Sequence, residues 1–147
     1  MPLDQSFRGR VYPPTAPYQV GREKVREFAL AIGATDPVHF DLEAAKAAGY
    51  PDLVAPVTFP IAITLPALKP IVGDPELGID YGRVVHGDQR FAYTRLVVAG
   101  DELVIIATIE EILSRGGHDF LTTRQEVQTS AGEPVVTVWH KTVVRGE

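Results

Sequence analysis

Between residues 22 and 32, apolar side chains recur as Val25, Phe28, Ala29 and Ile32, with Arg22, Glu23, Lys24, Arg26 and Glu27 between them. That spacing predicts an amphipathic helix, which Gly33 can end as a left-handed cap. Asp41 then suits the N-cap of a second short helix over residues 42–48, ended by Gly49. Residues 59–68 are apolar on every side apart from Thr64, which predicts a central helix buried all round. Pro56 and Pro60 suit its start, whereas Pro66 should bend or end it. Residues 69–81, with Pro70, Gly73, Pro75 and Gly78, read as a surface loop. Beyond Gly82 the period shortens. Residues 83–98 predict one long, bulged strand, and Ala99-Gly100-Asp101 a turn. Leu103, Ile105, Ala107 and Ile109 alternate as the buried face of the next strand. Gly116-Gly117 marks a hairpin, and strands at residues 120–128 and 134–144 complete an antiparallel meander of about four. Helices first and a sheet afterwards give an α+β fold in which an antiparallel sheet wraps around a central buried helix.

Residues 1–19 carry Pro2, Pro13, Pro14 and Pro17 and are expected to be extended, with short strands near residues 9–12 and 18–20. At 147 residues the chain is most simply one domain, residues 1–147, large enough to bury about two thirds of its unfolded surface. It has no cysteine, so disulfides and thiolate zinc sites are excluded and a reducing cytoplasm is the simplest address. No signal-peptide core and no membrane-length apolar run is present. With 14 Lys and Arg against 19 Asp and Glu the net charge is -5, the wrong sign for a nucleic-acid partner.

The polar cluster with plausible chemistry is Asp36, His39 and Asp41, in a loop pinned between two helices and followed by the apolar segment. His39 has two readings, a proton-transfer residue or a loop histidine with a structural hydrogen bond. His86 and Asp88 share one face of the predicted strand, to line a binding tunnel or to pair structurally. His118, beside the turn glycines, and His140, after Trp139, read as structural. No two histidines have helical ligand spacing, no serine sits in a Gly-x-Ser-x-Gly elbow and no phosphate-cradling glycine loop precedes a helix. No metal and no cofactor are expected.

The words of the sequence add to this. Asp36-Pro37-Val38-His39-Phe40-Asp41, the small residues 44–49 ending in Gly49, and Leu53-Val54-Ala55 follow in fixed order. With Gly21-Arg22-Glu23-Lys24-Val25-Arg26-Glu27-Phe28, Ala55-Pro56-Val57-Thr58-Phe59, Val85-His86-Gly87-Asp88-Gln89 and Val98-Ala99-Gly100-Asp101, the chain resembles the MaoC-like hot-dog family. That family comprises R-specific enoyl hydratases and 3-hydroxyacyl thioester dehydratases. More closely, these words look like the N-terminal-type MaoC dehydratase domain of actinobacteria, a group that includes Had-type accessory subunits.

The resemblance implies a hot-dog fold and an acyl-carrier-protein or coenzyme A thioester as ligand. It also implies a homodimer, or a heterodimer with a MaoC-like catalytic subunit. In the family an Asp/His pair holds a water or the 3-hydroxyl and moves protons, while N–H groups at the central helix start polarise the thioester carbonyl. His39 falls on the family histidine, but the partner Asp falls on Ala34 and the family Asn on Asp36. Asp36 either rescues the pair or orients the loop. The family's His-Gly-Met becomes Pro56-Val57-Thr58. Pro56 has no N–H, and Val57 places a branched side chain where glycine leaves room. The resemblance therefore implies His39 and Asp36 as catalytic candidates, and Pro56, Val57, Thr58, Phe59 and His86 as substrate-binding ones. It supports two functions: an acyl-chain-binding subunit with a degenerate pair, or a self-sufficient hydratase. A thioesterase-like or non-catalytic acyl-binding protein is a third.

Overall fold

A computed structural model describes residues 2–147. Its frame is an antiparallel run of three long strands, β3 (Glu102–Arg115), β4 (His118–Thr129) and β5 (Pro134–Val144). Alternation turns Leu103, Ile105, Ala107 and Ile109 inward, as their spacing predicts. A register shift between Ile109 and Glu111 then resets the phase, so that Ile112 is buried and Glu111 exposed. On β5 the inward positions include Val136, Val138, His140, Thr142 and Val144.

The predicted four-stranded meander needs correction. β2 (Val84–Tyr93) does not lie beside β3; it crosses to the far side and pairs with β5, and a two-residue β1 (Tyr18–Gln19) joins the other side of β3. The order β1-β3-β4-β5-β2 makes a five-stranded curled sheet. Along the outer edge of β3, the N-terminal segment continues the pairing irregularly, through Gly9 N–H to the Ile109 carbonyl (2.7 Å), Tyr12 N–H to Ala107 (2.8 Å) and Thr15 N–H to Ile105 (3.0 Å). β2 has no strand on its outer side among the described residues.

The strand expected over residues 83–98 stops at Tyr93, because Arg95 clamps the turn that follows. Its guanidinium makes two bonds to Asp101 (2.9 and 3.0 Å), one to Glu133 (2.7 Å) and one to the Leu96 carbonyl (3.0 Å). Asp101 also accepts the Val98 N–H. Arg95→Met is expected to cost about 2 kcal/mol, since it leaves the nearly buried Asp101 carboxylate without its cation. Urea unfolding checks this against breakage of the exposed Lys24–Glu27 pair, which should change stability by less than about 0.5 kcal/mol.

α1 (Arg22–Ala31) and α2 (Leu42–Ala47) form where the periodicity puts them, with Gly33 at φ +72° and Asp41 accepting the Glu43 N–H. Ile32, expected on the buried stripe, is 52% exposed. It follows the last helical residue and leaves the helix axis. The central segment departs further from expectation. It is α3 (Ile61–Thr64), a 3-10 turn (Pro66–Leu68) and α4 (Lys69–Val72), broken because Pro66 has no N–H to continue the ladder. Phe59, Ile63, Thr64 and Leu68 face the sheet, but Leu65 is 51% exposed. The helix is therefore buried on one side, not all round, since the sheet curls about that side alone. Nor is the 69–81 stretch merely a surface loop, because Ile71 and Leu77 are core residues.

The core divides into two apolar clusters. Val25, Leu53, Phe59, Ile105, Val127 and Val138 belong to the first; Leu68, Ile71, Ile109, Leu121 and Val144 belong to the second. Thr123 and Gln125 lie between Leu121 and Val127 on β4, and His140 and Thr142 between Val138 and Val144 on β5. These four are buried polar side chains that separate the clusters. No helix among the described residues is long and apolar enough to cross a membrane.

Candidate functional site

The loop after α1 is set by its caps. Ala34 N–H closes on the Ala29 carbonyl (2.9 Å), a helix-end arrangement that the left-handed Gly33 permits. Asp36 then begins a 3-10 turn (Pro37–His39), its carboxylate accepting the Val38 N–H at 3.1 Å. Asp41 likewise accepts the Glu43 N–H at 3.0 Å. Both aspartates are exposed and are engaged by backbone donors.

His39 is held differently. Its Nδ1 lies 2.6 Å from the Val54 carbonyl oxygen, and because a carbonyl can only accept, Nδ1 carries the proton. In the neutral ring Nε2 is then the lone-pair nitrogen. The Val54 N–H returns to the Val38 carbonyl at 2.9 Å, so the loop is tied on both sides to residues 53–55. Among the described residues, no carboxylate hydrogen-bonds to His39. Asp36 bonds to Val38 instead, and Ala34 offers only a methyl group.

The tied segment leads directly to the turn that opens α3. Pro56 and Phe59 are buried, Val57 and Thr58 exposed. Phe59 N–H donates to the Pro56 carbonyl (2.9 Å); among the described residues the Val57 and Thr58 N–H groups donate to no protein acceptor. The Val57 carbonyl accepts from the Tyr93 hydroxyl. Burial pushes the Tyr93 phenol well above its ordinary range, so it stays a donor and fixes the turn. Sequence reasoning missed Tyr93, whose signal is its inward place in the alternation Gln89, Phe91, Tyr93. With four residues, α3 supplies little macrodipole, so the backbone N–H groups themselves are the polar feature here.

His86 lies elsewhere. The sequence puts it on one face with Asp88, but a bulge between them breaks the phase. Asp88 accepts the Gln89 N–H, while His86 Nε2 meets the Gln89 amide oxygen at 3.2 Å. The His86 ring stacks on His140, centroids 4.5 Å apart. Both line a cavity of about 450 Å³ between residues 65–72 and the β2–β5 ribbon. His39 is not part of that lining, so the structure does not bring the two candidate regions together. His118 Nδ1 accepts the Gly146 N–H. No group of three or more His, Asp or Glu is gathered as a metal site among the described residues.

Comparison with known proteins gives the same architecture a context. The family model described as FAS1-like, dehydratase domain region, matches residues 6–138. A UPF0336 protein of Streptomyces coelicolor is 58% identical over 145 residues, 99% of this chain and 97% of the relative. The solved complex of C-terminally truncated HadBC, a (3R)-hydroxyacyl-ACP dehydratase of Mycobacterium tuberculosis, contains a similar chain. The TM-score is 0.83 and the identity 34%, covering 93% of this chain and 96% of that one. A solved MaoC-like dehydratase matches with TM-score 0.89 and 33% identity over 97% of this chain and 43% of its own.

Proposed function

The chain belongs to the FAS1-like dehydratase family of MaoC-like hot-dog proteins, and on that premise we propose that it is an acyl-chain-binding subunit of a (3R)-hydroxyacyl thioester dehydratase. A second hot-dog subunit with an intact Asp/His pair completes the enzyme. One observation carries the reading: among the described residues no carboxylate hydrogen-bonds to His39, the residue that the resemblance aligns with the family's proton-transfer histidine. A hydration step needs one group to hold and deprotonate water while another delivers a proton to the α carbon. Here His39 Nε2 is a single free proton-transfer atom, and Asp36 shapes the loop.

Binding is better provided for than chemistry. The unengaged N–H groups of Val57 and Thr58 can donate to a thioester carbonyl, and the ring of Phe59 and the fixed φ of Pro56 hold that turn in place. The exposed side chains of Val57 and Leu65, 59% and 51% exposed, lie on the outer flank of the central segment, where a partner subunit would cover them. The HadBC neighbour is itself a complex of hot-dog subunits, in line with such a pairing. A chain without cysteine suits a reducing, cytoplasmic setting.

Hydration of trans-2-octenoyl-coenzyme A, followed by loss of enoyl absorbance, tests the proposal. The purified chain alone is expected to be about 100-fold slower than the chain combined with a MaoC-like subunit of the same organism that carries the Asp/His pair. Full turnover by the chain alone, abolished in His39→Ala, would replace this reading with a self-sufficient hydratase using His39 and Asp36.

A further inference from the structure

We infer that the cavity between residues 65–72 and the β2–β5 ribbon binds an apolar molecule carrying one uncharged oxygen, an alcohol or a ketone, and that this oxygen is met by Nε2 of His140. The walls are hydrocarbon, from Leu65, Pro66, Leu68, Val72 and Val84, and the volume of about 450 Å³ is that of a small-molecule pocket. The floor is not hydrocarbon. His140 is 5% exposed and its Nε2 has no hydrogen-bond partner, while its Nδ1 is 3.2 Å from the Thr142 hydroxyl.

Nor is His140 an isolated exception. In register, Thr123 lies directly across from it on β4 and Gln89 directly across on β2, and paired residues share a face. Thr123 Oγ1 and Gln89 Nε2 are also buried without a partner, as is Gln125 Oε1 two residues along β4 from Thr123. Buried polar atoms nearly always have partners, and one left without is a net cost to folding. Of these residues His140 alone lines the cavity, so its Nε2 is the unpartnered polar atom nearest a hydrophobic ligand held there.

The ligand oxygen is uncharged for three reasons. Burial and the neighbouring His86 ring hold the His140 pKa down to about 4, so the imidazole is neutral at pH 7. Thr123 and Gln89 are neutral as well, and the cation of the lining, Lys69, is exposed at the rim. Whichever tautomer the bond to Thr142 selects, a hydroxyl can satisfy Nε2, because it both donates and accepts; a ketone satisfies the tautomer with Nε2–H. The exposed His86 ring stacks on the face of His140, and Nε2 itself is closed off from solvent, so side chains around it must shift to admit the oxygen.

The assignment stands apart from the acyl-thioester reading, since simple alcohols test it without a thioester or a partner subunit. Calorimetric titration of the full chain is expected to show octan-1-ol binding about tenfold more tightly than 1-fluorooctane. His140→Phe should erase that difference while retaining the affinity for 1-fluorooctane. In wild-type protein labelled with ¹⁵N-histidine, octan-1-ol should shift the His140 Nε2 resonance and 1-fluorooctane should leave it unmoved, a result that does not depend on the variant folding. Equal affinity for the two probes, or an unmoved His140 resonance with octan-1-ol bound, overturns the inference.

Discussion

Replacing Phe59 by alanine is expected to remove about 3–5 kcal/mol of folding free energy, a large share of what a domain of this size holds. The side chain is fully buried and meets the Phe28 ring edge-on, with centroids 5.4 Å apart at 78°. The loss thus combines transfer, an unfilled cavity and an aromatic contact worth about 0.5–1.5 kcal/mol by itself. It also detaches α1 from the turn that carries the Val57 and Thr58 N–H groups. Urea unfolding checks it, with Val57→Ala as control. Two residues away and exposed, Val57 should change stability by less than about 0.5 kcal/mol. Similar losses for the two variants would show that Phe59 is not the anchor described.

Acid should unfold this protein early, through His140. In the folded chain burial, and then the neighbouring His86, hold its pKa down to about 4, against 6.5 for an unperturbed imidazole. Above pH 6.5 neither state takes the proton. Below it the unfolded chain is protonated and the folded one is not, so stability is full above pH 6.5, falls as pH drops towards 4 and changes no further through this group below that. The difference between the two pKa values corresponds to about 3 kcal/mol. Asp52, held below the usual carboxylate range first by its hydrogen bonds to Arg22, contributes stability that is lost only below about pH 4. The windows therefore separate. Urea midpoints measured from pH 7.5 to 4 should fall steeply in wild type and much less in His140→Phe; parallel curves would remove His140 from the account.

What was legible in the sequence was local. Val25 and Ala29 carry the signal of α1, Gly33 its end, Asp41 the start of α2, and the alternation from Leu103 to Ile109 the inner face of β3. Each is decided within one turn or one strand. Crossing of β2 to the far side of β5 is decided by long-range pairing, to which residues 84–93 give no clue on their own. An all-apolar stretch such as residues 59–68 says that it is buried but not from which direction, so exposure of Leu65 was not readable. The place of His39 in the loop between α1 and α2 was readable. Its bond to the Val54 carbonyl was not, because fifteen residues separate the two. Asp36 stands close enough to His39 in sequence to suggest a pair, yet Pro37 makes it a cap, and a cap spends its carboxylate on Val38. The polar patch around His140 emerges only once the bulge near Gly87 has set the phase of β2 against β5.

The two margins of the sheet are unequal, and this limits how copies can add to one another. Beside β3 the N-terminal segment already occupies the hydrogen-bonding groups, through Gly9, Tyr12 and Thr15, whereas β2 leaves its outer row open. The opposite margin, β1, is two residues long and follows an irregular stretch with Pro13, Pro14 and Pro17, so β2 is the margin suited to strand addition. A fibril or an open filament needs two joining faces per unit, one to receive and one to offer. Sheet extension through β2 alone would stop at two chains.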